Sequence, residues 1–523
     1  MMRGMHLDRD ACYRAMLTRD ARFDGQFFIG VRTTGIYCRP ICPARTPKLA
    51  NVVFLPSAAA AQAAGFRPCL RCRPETSPDL AAWHGTAATV SRAMALIAAG
   101  ALAEGPVDAL AARLGIGERQ LRRLFRRHLG ATPQAIAQTR RVLFAKQLIT
   151  DTTLPMTEVA LAAGFGSTRR FNDTFRTLYG RPPGRLRRAG VTETHASAID
   201  LILAFKPPYD WDALIGFLAA RAIRGVESVR PDSYTRSIAL GGAVGTVTVR
   251  PAAGRAGLAA TIRFPVVTAL PAIVARLRHL FDLGADPSVI GAHLATDPTM
   301  ARLVAARPGL RVPGAWDGFE LAVRGILGQQ ITVGAATALA GKLVATYGVT
   351  LPPANDPALA GLTHVFPSPE RLAEAGDIAA TIGMPGRRAA AIVALAQAAA
   401  ADPGLFQPGR GLDEAIALLC ALPGIGAWTA QYIAMRALRE PDAFPAGDIG
   451  LLRAMATPAG RPTPGGLAAH AAAWRPWRAY AALHLWASDA AGGGGARGRL
   501  KETPHETVAR PHGLADRHDS AGL

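Results

Sequence analysis

The sequence predicts a multidomain chain: a small zinc-bound α+β domain, an all-α domain of tandem helix-turn-helix units, an α+β domain with an antiparallel sheet, and a second all-α domain. Three observations predict it. Four of the six cysteines fall in two close pairs, a helical pattern recurs after about 50 residues, and β-branched alternation is confined to one stretch between helical regions. With 523 residues the chain is long enough for roughly three to five domains of ordinary size. Half of its residues are hydrophobic and 19% are charged, which supplies several cores and excludes global disorder. The alanine-rich stretches are broken by Arg, Gly and Pro before a membrane span accumulates, and the charged start Met1 to Asp10 lacks the apolar centre of a signal peptide. A cytoplasmic protein with no membrane partner is expected.

The net charge of +21 is unevenly spread. Residues 1–190 hold 29 Lys and Arg against 12 Asp and Glu, a surplus of 17, whereas the remainder has a surplus of only 4. A field of that sign suits nucleic acid, because every phosphate neutralised releases counterions.

In the first module, taken as 1–80, Cys38 and Cys42 form one pair and Cys69 and Cys72 the other. A chain without a secretion signal disfavours disulfides, so two close pairs fit the four tetrahedral ligands of one structural Zn²⁺. Arg32, Arg39, Arg45, Lys48, Arg67, Arg71 and Arg73 surround them in sequence, and Arg39 and Arg45 are taken as DNA contacts. Four thiolates on one Zn²⁺ carry a formal charge of about −2, which keeps the sulfurs nucleophilic. A methyl group on one of them would bring the charge to about −1 and lessen repulsion from phosphate.

The second module, 87–188, contains the repeat. Ala111 with Gly115 recurs as Ala160 with Gly164, and Gly130 with Pro133 recurs as Gly180 with Pro183. Each copy reads as helix, glycine turn, helix: Val107 to Leu114 then Glu118 to His128, and Met156 to Ala163 then Ser167 to Leu178. Leu121, Leu124, Phe125, Phe171 and Phe175 form the apolar faces. Arg119, Arg122, Arg123, Arg169 and Arg170 point the other way and are the expected contacts to phosphates and guanine edges.

A linker is expected near residues 189–198. The third module, 199–312, alternates at Ser237 to Leu240 and Gly245 to Val249, between helical stretches Trp211 to Ala222 and Ala272 to Phe281. It carries no catalytic constellation and reads as a scaffold. The fourth, 313–490, places Leu422-Pro423-Gly424-Ile425-Gly426 between two helices. Gly424 and Gly426 permit a tight turn that presents N–H groups to a phosphate, although the same residues also suit a plain helix end. Trp428, Tyr432 and Trp486 lie near it in sequence or beyond, as do Trp474 and Trp477, which are assigned to the core. On pattern alone the first three serve stacking or packing equally well, and the single acid Asp448 reads as a loop cap. The segment 491–523, opened by four glycines, is expected to be a disordered tail.

Residues 20–75, with Asp24 to Gly35, Tyr37-Cys38-Arg39-Pro40 and Cys69-Leu70-Arg71-Cys72, resemble the zinc domain of the Ada methylation-response regulators. The resemblance implies that Cys38 accepts a methyl group from a DNA methylphosphotriester while Cys38, Cys42, Cys69 and Cys72 hold Zn²⁺. Residues 87–188 resemble the AraC-type DNA-binding domain, which implies promoter DNA and RNA polymerase as partners of an activator. Residues 199–490 resemble the AlkA-type 3-methyladenine DNA glycosylases, through Pro207-Pro208-Tyr209-Asp210-Trp211, Arg324 to Gln330 and the hairpin Leu422 to Gly426. That implies an all-α helix-hairpin-helix glycosylase core acting on alkylated double-stranded DNA. Asp448 would be its catalytic aspartate, and Trp428, Tyr432 and Trp486 its base-pocket aromatics. Gly424, Gly426, Gln329 and Gln330 would contact DNA, and hairpin carbonyls would hold a monovalent cation.

Such an enzyme flips the nucleotide, stacks the base on aromatic rings and stabilises an oxocarbenium-like sugar with a carboxylate. Departures from the family patterns refine the expectation. Trp428 occupies the position of a catalytic lysine in lyase-active relatives, so a monofunctional enzyme is expected. Cys420 alone in this half excludes the iron–sulfur cluster of some relatives. Gln330 stands where relatives carry a leucine wedge, and no alkylguanine transferase cysteine with a neighbouring histidine is found. The alternative is a purely DNA-binding regulator with an inactive glycosylase half.

Overall fold

The computed structural model describes residues 8–78, 88–103, 105–187, 198–352, 356–458 and 460–498. The expected linker lies outside them except for Ala198, and so do residues 499–523 of the expected tail.

The first module is a four-stranded sheet in the order Val52–Leu55, Phe28–Val31, Ile36–Cys38, Arg67–Pro68. The first three pair antiparallel, and the last runs parallel to Ile36–Cys38. Strand alternation divides its apolar side chains between two faces. Phe27 and Ile29 pack with Cys12, Ala15 and Met16 of the helix Arg9–Thr18, whereas Phe28 packs with Tyr37 and with Ala61 of the helix Ala58–Ala63. Thus Cys38, at the end of a strand, is set on a rigid support.

Both copies of the repeat fold alike. Helices Val107–Arg113 and Glu118–Leu129 form the first unit, Met156–Ala162 and Thr168–Tyr179 the second, and the 19-residue helix Pro133–Asp151 joins them. Leu121, Phe125 and Leu129 are buried in one copy, and Phe171, Phe175 and Tyr179 in the other. Gly130 and Gly180, at φ +69° and +67°, close the two helices in the left-handed conformation that favours glycine. Their settings differ. The first unit buries its face with the helix Ala88–Ala98, whereas the second shares a core with the sheet of the third module.

That sheet is five-stranded and antiparallel, in the order Ile199–Ala204, Gly257–Arg263, Ala243–Pro251, Ser233–Leu240, Glu227–Arg230. Helix Leu270–Leu280 covers it through Ile273, Val274 and Leu277. The division at 312/313 does not follow the cores. Ile290, Leu294 and Met300, on helices Pro287–Leu294 and Pro298–Ala306, pack into the helical module, whereas Trp316 packs with the sheet. The chain enters the helical core before 312 and returns to the sheet after it, so one boundary cannot separate the two.

Helices Gly318–Leu327, Gly386–Ala401, Leu412–Cys420, Ala427–Arg436 and Arg478–Gly498 build the fourth module. A two-stranded ladder, Val349–Thr350 with His364–Val365, interrupts the expected all-α pattern. The last helix runs through Gly492 to Gly495, against the expectation of a tail from 491, because a helix already nucleated extends by one hydrogen bond per residue. Among the described residues no helix is long and apolar enough to cross a membrane.

Candidate active site and metal centre

The hairpin Leu422 to Gly426 turns at Gly424, whose φ of +80° and whose approach to Ala391 both exclude a side chain, since an added Cβ would lie 2.5 Å from the Ala391 Cβ. Ile425 is buried beneath it, while Gly424 and Gly426 are exposed and Gly426 starts the helix Ala427–Arg436. The Gln329 side chain donates to the Gly424 carbonyl at 2.8 Å and to the Thr429 hydroxyl at 3.2 Å. Its amide therefore braces the hairpin. Gln330 is exposed at φ +58° at the neighbouring tip.

Asp448 caps the helix Ile449–Ala454, with Oδ1 accepting from the amides of Gly450 at 2.9 Å and Leu451 at 3.1 Å. Two indoles complete its surroundings. Trp486 Nε1 donates to Oδ1 and Trp428 Nε1 to Oδ2, each at 2.8 Å. Residues 58 positions apart in the chain thus converge on one carboxylate. Trp428 stacks on Tyr432, with centroids 5.1 Å apart and planes 12° from parallel, and remains 39% exposed. Asp448, Trp428, Tyr432 and Trp486 line one cavity of about 550 Å³, which runs inward to Phe217, Arg221, Arg324 and Arg436. A stacked aromatic wall, an oriented carboxylate and a cavity of this size can receive a flat heterocycle and stabilise a positive centre at its mouth. Trp474 and Trp477 are buried in the core, as expected.

Below the cavity lie groups that the sequence reading missed. Arg324 pairs with Glu227 at 2.6 Å and Glu320 at 2.5 Å, and Arg236 with Glu320 at 2.7 Å. Arg436 donates to the Tyr432 hydroxyl and to the carbonyls of Pro313 and Gly314 at 2.7 and 3.0 Å. A signal existed: Trp428, Tyr432 and Arg436 recur every fourth residue on one helix.

The sulfurs of Cys38, Cys42, Cys69 and Cys72 all lie within 4.8 Å of one another. Tetrahedral Zn²⁺ with bonds of about 2.3 Å requires sulfurs about 3.8 Å apart, so the donor set fits that ion. Cys69 and Cys72 are buried, and their sulfurs accept from the amides of Arg71 at 3.4 Å and Arg39 at 3.3 Å. Cys38 and Cys42 are half-buried. The Arg39 side chain departs from its expected role as a DNA contact. It is 9% exposed, and its guanidinium bonds to Asp24, to the Cys72 carbonyl at 3.2 Å and to the Thr76 hydroxyl at 2.7 Å. Burial with an acidic partner makes it a brace of the cysteine loop. Arg45 is exposed.

On the helix-turn-helix units Arg119, Arg123, Arg169 and Arg170 are exposed. Arg122 is less available, since it bonds to Glu118 at 2.6 Å and Gln134 at 3.2 Å.

Four matches to known families follow the modules in order. Residues 11–75 match the metal binding domain of Ada, 110–189 a helix-turn-helix domain, 200–317 the AlkA N-terminal domain, and 323–478 the HhH-GPD superfamily of base excision DNA repair proteins. The chain is 44% identical, over 92% of its length and 97% of the relative's, to the probable bifunctional transcriptional activator/DNA repair enzyme AlkA of Mycobacterium tuberculosis. The chain belongs to this family of bifunctional AlkA-type regulators and repair enzymes. Its two halves also match separately. Over 54% of the chain and 95% of the relative it is 37% identical to the DNA-3-methyladenine glycosylase 2 of Escherichia coli. Over 32% of the chain and 45% of the relative it is 36% identical to the bifunctional activator/repair enzyme Ada of Escherichia coli. In this bifunctional AlkA-type chain the cysteine cluster lies within the Ada match, while Trp428 and Asp448 lie within the HhH-GPD match and Trp486 follows it.

Proposed function

We propose that the C-terminal half removes alkylated purines such as 3-methyladenine from double-stranded DNA as a monofunctional glycosylase. The observation that carries this reading is the Asp448 carboxylate fixed by the indoles of Trp428 and Trp486 at the mouth of an aromatic cavity. The bond between C1′ and the base nitrogen breaks with its electron pair going to the base, whose positive charge is thereby neutralised. Asp448 stabilises the cationic sugar until water adds at C1′ and releases one proton to the solvent. Trp428 and Trp486 hold the cationic base by stacking, and Tyr432, stacked on Trp428, lines the pocket beside them. Trp428 offers no amine for a Schiff base, which supports hydrolysis without strand cleavage. The exposed Gly424, Gly426 and Gln330 face the DNA backbone, and carbonyls of the hairpin Leu422 to Gly426 would hold a monovalent cation.

The N-terminal half, in the same proposal, is a transcriptional activator switched by damage. Bound Zn²⁺ keeps the four sulfurs as thiolates. Cys38 takes the methyl group: its S–CH₃ bond forms as the O–CH₃ bond of a methylphosphotriester breaks, and the departing oxygen keeps the electron pair. Amides donate to the sulfurs of Cys69 and Cys72, and the Ala44 amide to Cys42, which draws electron density from all three. Half-exposed Cys38 is left as the strongest nucleophile. Loss of one negative charge strengthens the grip on promoter DNA through Arg45, Arg119, Arg123, Arg169 and Arg170, and the bound activator recruits RNA polymerase. Release of free 3-methyladenine from methylated DNA tests the repair half. Its complete absence would leave a DNA-binding regulator alone.

A further inference from the structure

Trp428, Tyr432 and Arg436 share one face of the helix Ala427–Arg436. At 1.5 Å rise per residue the stripe spans about 12 Å. Asp448 is bonded to Trp428 at one end of it. At the other end Arg436 is 6% exposed and held by the carbonyls of Pro313 and Gly314.

A guanidinium has hydrogens to give and no lone pair to accept with. The Tyr432 hydroxyl therefore accepts from Arg436 and must place its own hydrogen elsewhere. Tyr432 lines the cavity, and among the described residues no acceptor takes that hydrogen. Burial by itself would push the phenol up, but the guanidiniums of Arg436, Arg221 and Arg324 outweigh burial and hold it below its ordinary value. Its O–H is accordingly a stronger donor than an ordinary tyrosine's.

Asp448, Tyr432 and Arg436 line one cavity, so a flipped base with its glycosidic bond beside Asp448 and its ring directed inward would bring its far edge toward Tyr432. On a purine that edge carries position 6, an oxygen in guanine and an amino group in adenine. The geometry points to Tyr432, fixed by Arg436, as the donor that reads this edge and favours alkylated purines with a carbonyl oxygen over those with an amino group. The inference rests on the reading of the cavity as the base pocket. Tyr432 is then a specificity-determining residue, and Arg436 positions it.

The test compares duplexes containing 7-methylguanine or 7-methyladenine, two cations alkylated at one atom and different at position 6. Single-turnover excision rates are divided by the spontaneous loss of each base. The wild type should favour 7-methylguanine by about tenfold, the scale of one charge-assisted hydrogen bond. Tyr432→Phe should bring the ratio near one, and Arg436→Lys, which keeps a cationic donor, should retain most of the preference. A wild-type ratio at or below one, or a preference untouched in Tyr432→Phe, overturns the proposal. If Tyr432→Phe releases no base at all, the wild-type ratio decides alone. Release of 3-methyladenine by the same wild-type preparation keeps failure of this proposal distinct from failure of the glycosylase reading.

Discussion

The indole N–H of Trp428 lies 2.8 Å from a carboxylate oxygen of Asp448, so the residue that forms one wall of the cavity also orients the carboxylate at its mouth. Trp428→Phe separates the two tasks, because it keeps a ring over Tyr432 and deletes the donor. Excision should fall by roughly tenfold, the usual weight of one hydrogen bond to a charged group, and Trp428→Ala should fall further through the lost stack. Single-turnover rates at saturating enzyme decide this. A wild-type rate in Trp428→Phe would show that the hydrogen bond contributes nothing, and equal loss in both variants that the stack adds nothing to it.

For the metal centre, freshly purified protein should contain one Zn²⁺ per chain by elemental analysis. Cys42→Ala should lose the metal and loosen residues 9–76, seen as faster amide exchange there, because the three remaining sulfurs no longer make a four-ligand site whose ion ties the two cysteine pairs together. The helical module should keep its protection. Zinc-free wild type with an intact first module would contradict the assignment.

The order of nucleophiles at the cluster predicts one product. Incubation with DNA carrying methylphosphotriesters should add 14 Da, about the mass of one methyl in place of hydrogen, to the peptide bearing Cys38. Specific DNA binding should tighten with it. A methyl on Cys42, or unchanged affinity after Cys38 is modified, would contradict the switch.

Much of this was legible from local pattern. The helix-turn-helix repeat shows because its apolar residues recur at helical spacing, and the cysteine cluster shows because close pairs bring their own ligand geometry. What escaped depends on contacts distant in sequence. Nothing near Arg39 announces Asp24 as its partner, 15 residues earlier, so a buried brace reads as a surface cation. Asp448 reads as a loop cap and is one; that two indoles from positions 428 and 486 also reach it is a property of the packed helices alone. That the chain on either side of 312/313 contributes to both cores is hidden for a similar reason, since helices of one composition serve the two.

Burial raises Asp282 to about 6, against the opposing pull of Arg311 and hydrogen bonds from Tyr480 at 2.8 Å and the Val312 amide at 3.2 Å. A carboxyl raised on folding binds a proton that the unfolded chain has released. Its contribution therefore favours folding at low pH and is lost as pH rises from the ordinary carboxylate range through about 6. Asp282→Asn keeps an acceptor for Tyr480 and cannot ionise. Between pH 5 and 7.5 the wild type should lose thermal stability relative to this variant, and parallel curves would contradict the assignment.

The central claim is that the Asp448 charge stabilises the sugar cation as the base departs. Asp448→Asn keeps an oxygen to accept from the indoles and removes the charge. Its decisive test is single-turnover release of 3-methyladenine by wild type and Asp448→Asn at equal DNA occupancy. The account predicts a loss of about a hundredfold or more in rate with little change in DNA affinity. Near-equal rates would contradict it and assign the catalysis to another group.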